Sequence, residues 1–149
     1  LDHTSLPPQP FDDPRINFHS LRLAPYDDPK SQSISLASIV RQLNHTGRAI
    51  NVLKIDIEGR EWEVLSPLLT KGSLLESVVQ ILIELHMPPL TATQYHQMMV
   101  GLHSLGFVVY SKEPNTLGCA GDCIEFSLLR LSPSVLAGIG NGYNFKPVR

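Results

Sequence analysis

The chain has 149 residues, 42% of them hydrophobic and 17% charged, which is the size and balance of one globular domain and not of a disordered or fibrous chain. Its 12 basic and 14 acidic residues give a formal charge of −2 and are interspersed, so no Lys/Arg face is offered to phosphates and nucleic acid is excluded as the expected partner. No apolar run reaches the roughly 18 residues that a membrane span needs; the longest, Val78 to Leu85, is broken by Gln80 and Glu84.

Residues 1–15 are rich in proline, lack periodicity and read as a linker or loop. The opening Leu1-Asp2-His3 has no initiating Met and no signal-peptide pattern, which reads as a piece of a longer protein. Ile16 to Leu23 alternates apolar and polar residues and predicts a short strand, with a slip at His19-Ser20; Ala24 to Ser33 reads as a loop. Leu36, Ile39, Val40 and Leu43 stack on one side of a helix over Ser35 to Leu43, stopped by Asn44 to Gly47.

Ile50 to Ile57 is a compact apolar run with β-branched residues, which predicts a strand buried on both faces for much of its length. Glu58-Gly59 ends it. Glu61 to Leu69 carries Trp62, Leu65 and Leu69 on one helical face, and Pro67 makes that helix short or kinked. Val78 to Leu85 predicts a second doubly buried strand, closed by His86, Met87 and Pro88-Pro89. Thr91 and Gln94 then form a capping-box pattern ahead of Tyr95, Met98, Met99, Leu102 and Leu105, and Gly106 sits where a C-terminal cap belongs. The methionines and the tyrosine of this helix read as core. Phe107 to Tyr110 and Cys123 to Leu131 predict an antiparallel hairpin across a turn-rich connection over Glu113 to Gly121. Residues 132–149 read as a loose tail.

Alternating strands and helices with doubly apolar strands predict an α/β domain over residues 16–131. Its sheet is mostly parallel, with helices on both faces and a terminal antiparallel hairpin. In such sheets ligands bind beyond the carboxyl ends of the parallel strands. One end carries Asp56 and Glu58; the other carries Glu84 and His86. If the strands are neighbours, these groups converge on one rim, and members of each pair, two apart on an extended chain, point the same way.

Three uses fit that rim. A carboxylate or His86 can act as general base on a hydroxyl. Asp56, Glu84 and His86 can hold a divalent metal. The structural alternative has Glu58 capping the following helix and Glu84 paired with Lys54, a lysine in an apolar strand that needs a partner. The residues favour a functional role for Asp56 and a structural one for Glu58, and leave Glu84 and His86 balanced. His3, His19, His45, His96 and His103 lack such a setting and read as surface or packing residues. No glycine-rich nucleotide loop follows a strand; Gly138, Gly140 and Gly142 lie in the tail.

Cys119 and Cys123, spaced C-x3-C, are read equally as a disulfide or as two reduced thiols, and are a weak metal signal. Asn44-His45-Thr46 matches an N-glycosylation acceptor, which functions only in a secreted chain. Together these lean toward the secretory pathway, with a cytoplasmic location as the alternative.

The segment Val52-Leu53-Lys54-Ile55-Asp56-Ile57-Glu58-Gly59-Arg60-Glu61-Trp62-Glu63-Val64-Leu65 resembles the LKIDIEGxExxVL segment of FkbM-type methyltransferase domains, and more closely the related animal methyltransferase-like branch. Gln80-Ile81-Leu82-Ile83-Glu84-Leu85-His86 and Cys123-Ile124-Glu125-Phe126 resemble that branch too, so the likeness covers residues 16–131. It implies a Rossmann-like, class I methyltransferase using S-adenosylmethionine. The strand at Asp56 would be its fourth, Val78 to His86 its fifth, and the hairpin its reversed sixth and seventh. The glycine-rich loop after the family's first strand and the ribose-binding acid after its second have no match here and would lie upstream of Leu1, so cofactor-binding residues are not assigned. Asp56, Glu84 and His86 fall on the methyl-transfer side as catalytic candidates, with Glu58 and Lys54 on the substrate side or structural.

The resemblance implies methyl transfer, most simply to oxygen of a small-molecule or glycan acceptor. The alternative is a non-catalytic remnant or interaction domain, in which missing strands leave an exposed sheet edge that invites self-association.

Overall fold

The computed structural model describes residues 15–140 apart from Pro88, Leu117 and Ala120. The expected linker therefore lies outside the described residues except for Arg15, as do residues 141–149 of the expected tail. The described chain is a mixed α/β structure with two sheets: β1 (Arg22–Ala24) pairs in parallel with β2 (Ser33–Ser35), and β3 (Ile50–Ile55), β4 (Val78–His86), β6 (Cys123–Arg130) and β5 (Phe107–Asn115) form a second sheet in that spatial order.

Local chemistry accounts for most element boundaries. Ser35 caps α1 (Leu36–Gln42), its hydroxyl accepting from the Ser38 amide at 3.3 Å, and Asn44 turns the chain away with φ +55°. The helix after β3 is short because of Pro67: α2 covers Glu61–Leu65 and continues as a 3-10 turn over Ser66–Leu68. Thr91 and Gln94 form the reciprocal capping box that starts α3 (Ala92–Ser104), and Gly106 leaves it at φ +93°.

Long-range pairing overrides several sequence expectations. Of the expected 16–23 strand only Arg22 and Leu23 lie in β1, which adds Ala24, and the polar Ser33–Ser35 becomes a strand because it finds β1 as a neighbour. β5 runs on to Asn115, well into the expected turn region, with a bulge between Val109 and Ser111. Residues 133–140, expected within a loose tail, form helix α4 (Pro133–Gly140). Proline suits a helix's first turn, and the Ser132 hydroxyl accepts from the Val135 amide at 3.4 Å.

Three of the four strands of the larger sheet, β3, β4 and β5, run in one direction and β6 runs against them, so its pairings are mixed, one parallel and two antiparallel. β3 and β4 run together with Ile55 beside Ile83, but β6 inserts between β4 and β5 and is antiparallel to both. The expected hairpin therefore forms, with its second strand docked on β4. Nor do helices flank both faces of this sheet among the described residues. Leu65 of α2 and Met98 and Leu102 of α3 join one core with Ile55, Ile81, Ile83, Leu85, Phe126 and Leu128. The opposite face carries Val52, Lys54, Gln80, Leu82, Glu84, Glu125, Ser127 and Leu129, none of which enters that core. α1 instead contacts β2, while β1 contacts α2.

β4 buries Val78, Ile81, Ile83, Glu84 and Leu85, but Val79 is exposed and Gln80 and Leu82 are half-buried, so it is not buried on both faces throughout as its sequence predicts. Nor is β3: it is an edge strand among the described residues, and Val52 on its open face is 50% exposed. Ile55 is buried in the core and Ile50 and Leu53 pack against it, while Val52 and Lys54 are exposed, so an apolar run that looks doubly buried is half open.

Candidate functional site at the carboxyl ends of β3 and β4

Because β3 and β4 are parallel neighbours, both carboxyl ends reach the same rim. β3 stops at Ile55, before the carboxylates, so strand alternation does not orient them. A tight turn does: Glu58 and Gly59 both take left-handed conformations, at φ +55° and +93°. Glycine is required at the second position on two counts. Its φ strains any L side chain, and an added Cβ would lie 2.6 Å from Cδ of Pro89. The turn sends both carboxylates toward His86. The His86 Nε2 atom lies 3.4 Å from Oε2 of Glu58 and 3.9 Å from Oδ1 of Asp56. The imidazole is 12% exposed, whereas Asp56 and Glu58 are 41% and 75% exposed.

The other imidazole nitrogen is fixed by a residue not singled out from the sequence. Oε1 of Glu61 lies 3.0 Å from Nδ1 of His86 and accepts from the Gly59 amide at 3.0 Å and, more weakly, from the Ile57 amide at 3.4 Å. Glu61 has no exposed surface, and its Oε2 has no hydrogen-bond partner among the described residues. It ties the turn to the start of α2, whereas the helix cap expected of Glu58 is not made: α2 has no side-chain cap bond. The available signal was an acidic residue in a helical first turn just after a glycine. That signal gives the local bonds but not the contact with a histidine 25 residues away.

Glu84 is brought near His86 but is engaged on the hairpin side. It is 5% exposed, and its Oε1 accepts from Asn115 Nδ2 at 2.7 Å. The Cys119 sulfur lies 3.3 Å from the same oxygen. That contact is not a hydrogen bond, because Cys119 and Cys123 are joined by a disulfide and the sulfur carries no proton. The disulfide decides the open reading of the cysteine pair and fixes the hairpin connection beside His86, which is opposite Cys123 in register. Lys54 does not pair with Glu84. Its Nζ lies 3.3 Å from Oε1 of Glu125 across the open sheet face, with both side chains about half exposed, so the pair contributes about 0–1 kcal/mol.

The expected convergence thus centres on His86, with Asp56, Glu58 and Glu61 around it, Glu84 alongside, and Lys54 apart. A metal set of Asp56, Glu84 and His86 does not form one cluster; Asp56, Glu58 and His86 do. A separate cleft of about 400 Å³ is lined by Ala24, Asp27, Ser38, Arg41, Val64 and Leu68, and includes no rim residue. There Asp27 accepts from the Ser35 amide at 2.7 Å and the Ser38 hydroxyl at 2.5 Å. These bonds, led by that of Ser38, hold its carboxyl down at a pKa of about 2.

The architecture and the rim define an α/β domain with its titratable groups at the carboxyl ends of parallel strands, where such folds place their chemistry. Residues 18–130 match a family model described as a methyltransferase domain. The chain belongs to that methyltransferase-domain family. No curated protein and no solved structure matches it.

Proposed function

We propose that this domain takes part in S-adenosylmethionine-dependent methyl transfer to an oxygen atom of a small-molecule or glycan acceptor. The observation that carries the reading is the His86-centred rim at the ends of β3 and β4, inside the segment that belongs to the methyltransferase family. The FkbM-like sequence of that segment supports the finer assignment. So does the strand succession, two adjacent parallel strands followed by an antiparallel hairpin whose second strand is reversed and docks on β4, which supports a Rossmann-like class I arrangement.

The residues described do not form a cradle for the cofactor. The amides of Ile57 and Gly59 in the turn after β3 already bond to Glu61, and no glycine-rich turn follows another parallel strand. The cofactor supplies an electrophilic methyl group when bound. This chain's own contribution is on the acceptor side. His86, oriented through Nδ1 by Glu61, presents Nε2 toward the rim, where it can take a proton from an acceptor hydroxyl. Asp56 and Glu58 can orient that hydroxyl, and holding the nucleophile in line is the larger catalytic contribution in such a displacement. Calorimetric titration of S-adenosylmethionine into the full-length protein tests the reading. Saturable binding is expected, and its absence refutes the enzyme assignment.

A second reading, an interaction domain, is favoured by the edge strand β3 and its exposed Val52. It predicts a dimer by light scattering that Val52→Lys converts to monomer; a wild-type monomer excludes it. For location, the disulfide and the exposed Asn44 and Thr46 support the secretory pathway. A mass loss on enzymatic deglycosylation after secretory expression is expected, and an unmodified Asn44 contradicts it.

A further inference from the structure

The rim carries more negative charge than its partners balance. Asp56, Glu58, Glu61 and Glu84 surround one imidazole, while the nearby cations are engaged elsewhere: Lys54 on Glu125 and Arg60 on Glu63, the latter at 3.2 Å. One oxygen from each of Asp56 and Glu58 and one nitrogen of His86 lie within 4.8 Å of one another. A first-row ion held at about 2.0–2.2 Å from each ligand sets neighbouring ligand atoms about 3 Å apart. The 3.4 Å gap between Glu58 and His86 nearly meets that requirement, and the 3.9 Å gap to Asp56 closes with a small rotation of an exposed side chain.

The independent observation is Glu61. A metal-binding histidine characteristically has its other ring nitrogen held by a carboxylate, which fixes the tautomer and makes the free nitrogen a better donor. Glu61 stands in that position, with its carboxylate against Nδ1 of His86, no exposed surface, and a second oxygen that lacks a partner among the described residues. A wholly buried carboxylate that meets only a histidine and two amides calls for further positive charge beside it. The alternative ligand group of Glu84, His86, Cys119 and Cys123 is unavailable while the two sulfurs are bonded to each other.

We infer that Asp56, Glu58 and His86 bind one first-row divalent cation, with Glu61 as the buried positioning residue behind His86. One nitrogen and two carboxylate oxygens form a hard-to-borderline donor set suited to Mn²⁺, Co²⁺ or Zn²⁺. Three protein ligands leave coordination positions open to water or to a ligand's oxygen atoms. The inference does not depend on methyl transfer, since binding of the ion alone tests it; an ion on Nε2 takes the lone pair that would otherwise accept a proton, so in the ion-bound protein His86 is a ligand and not the general base.

The test uses Mn²⁺ as probe, with the disulfide intact, and follows loss of the free-ion electron paramagnetic resonance signal. One ion per chain is expected, displaced by Zn²⁺. Glu58→Gln and His86→Ala should each weaken binding at least tenfold, and Glu61→Gln by about 10–100-fold with the number of sites unchanged. Glu125→Gln, on the open sheet face, should leave binding unchanged. Circular dichroism checks each fold; if His86→Ala does not fold, Glu58→Gln, which alters a mostly exposed side chain, decides the question. No bound ion at millimolar Mn²⁺, unchanged binding in Glu58→Gln, or binding that appears only after the cysteines are reduced overturns the inference.

Discussion

Replacing Glu61 with alanine should destabilise the domain far more than an acidic residue in a first helical turn ordinarily would. Its Oε1 holds the Gly59 amide and Nδ1 of His86, each at 3.0 Å, while the 3.4 Å contact from Ile57 adds little. Hydrogen bonds to a charged group contribute about 1.5–3 kcal/mol each, so the two short ones amount to about 3–6 kcal/mol. Against this, the variant removes a buried carboxylate oxygen without a partner, whose desolvation costs about 1–3 kcal/mol. The net expected loss is about 2–4 kcal/mol, or a fall in Tm of about 10 °C for a domain of this size. Glu61→Gln keeps an acceptor in place and should lose about 1 kcal/mol, at the lower end for a bond to a neutral group. Urea unfolding followed by circular dichroism measures both. A loss below about 1 kcal/mol for Glu61→Ala would refute the view that this side chain joins the β3 turn to β4.

Gly59→Ala should cost about 1–3 kcal/mol, because φ is +93° and the new methyl group meets Pro89; a melting temperature within error of wild type would contradict that. Reducing the Cys119–Cys123 disulfide, which closes a loop with a sequence separation of only 4, should cost about 2 kcal/mol by the chain-entropy relation. Unfolding with and without reductant reads this directly, and an unchanged urea midpoint is the contrary result. Asp27 has a folded pKa of about 2, below its ordinary value of 3.8. Its contribution is therefore complete above about pH 4 and is lost as the pH falls toward 2. Asp27→Asn should flatten that part of the acid-unfolding curve; an unaltered acid limb would show that the carboxylate does not anchor α1.

Features set within a few residues of each other were legible in the sequence. The Thr91–Gln94 capping box, the break at Pro67 and the burial of Ile81, Ile83 and Leu85 in β4 all appear as expected. What depended on neighbours in space was not. The apolar run of β3 could not reveal that, among the described residues, β3 has one strand partner and one open face. Ser33–Ser35 has no strand signature of its own and is extended because β1 lies beside it. α4 is short and contains glycines, so its periodicity is too brief to distinguish from a tail. The rim follows the same division. Asp56, Glu58 and His86 could be located from strand ends alone, and their meeting follows once β3 and β4 are parallel neighbours. The partners of Lys54 and Glu84 could not be found in this way, because Glu125 and Asn115 come from the hairpin, 71 and 31 residues further along. Glu61 was missed for a related reason: its importance comes from burial against His86, not from its local sequence.

The most direct test of the account is to map where the methyl donor meets the domain. Backbone amide shifts of the isotope-labelled full-length protein would be followed during titration with S-adenosylmethionine. The account predicts saturable changes concentrated at Asp56 to Gly59 and at His86. Absence of any change, or changes that leave the rim untouched, would contradict the assignment of this edge as the acceptor side of a methyltransferase site.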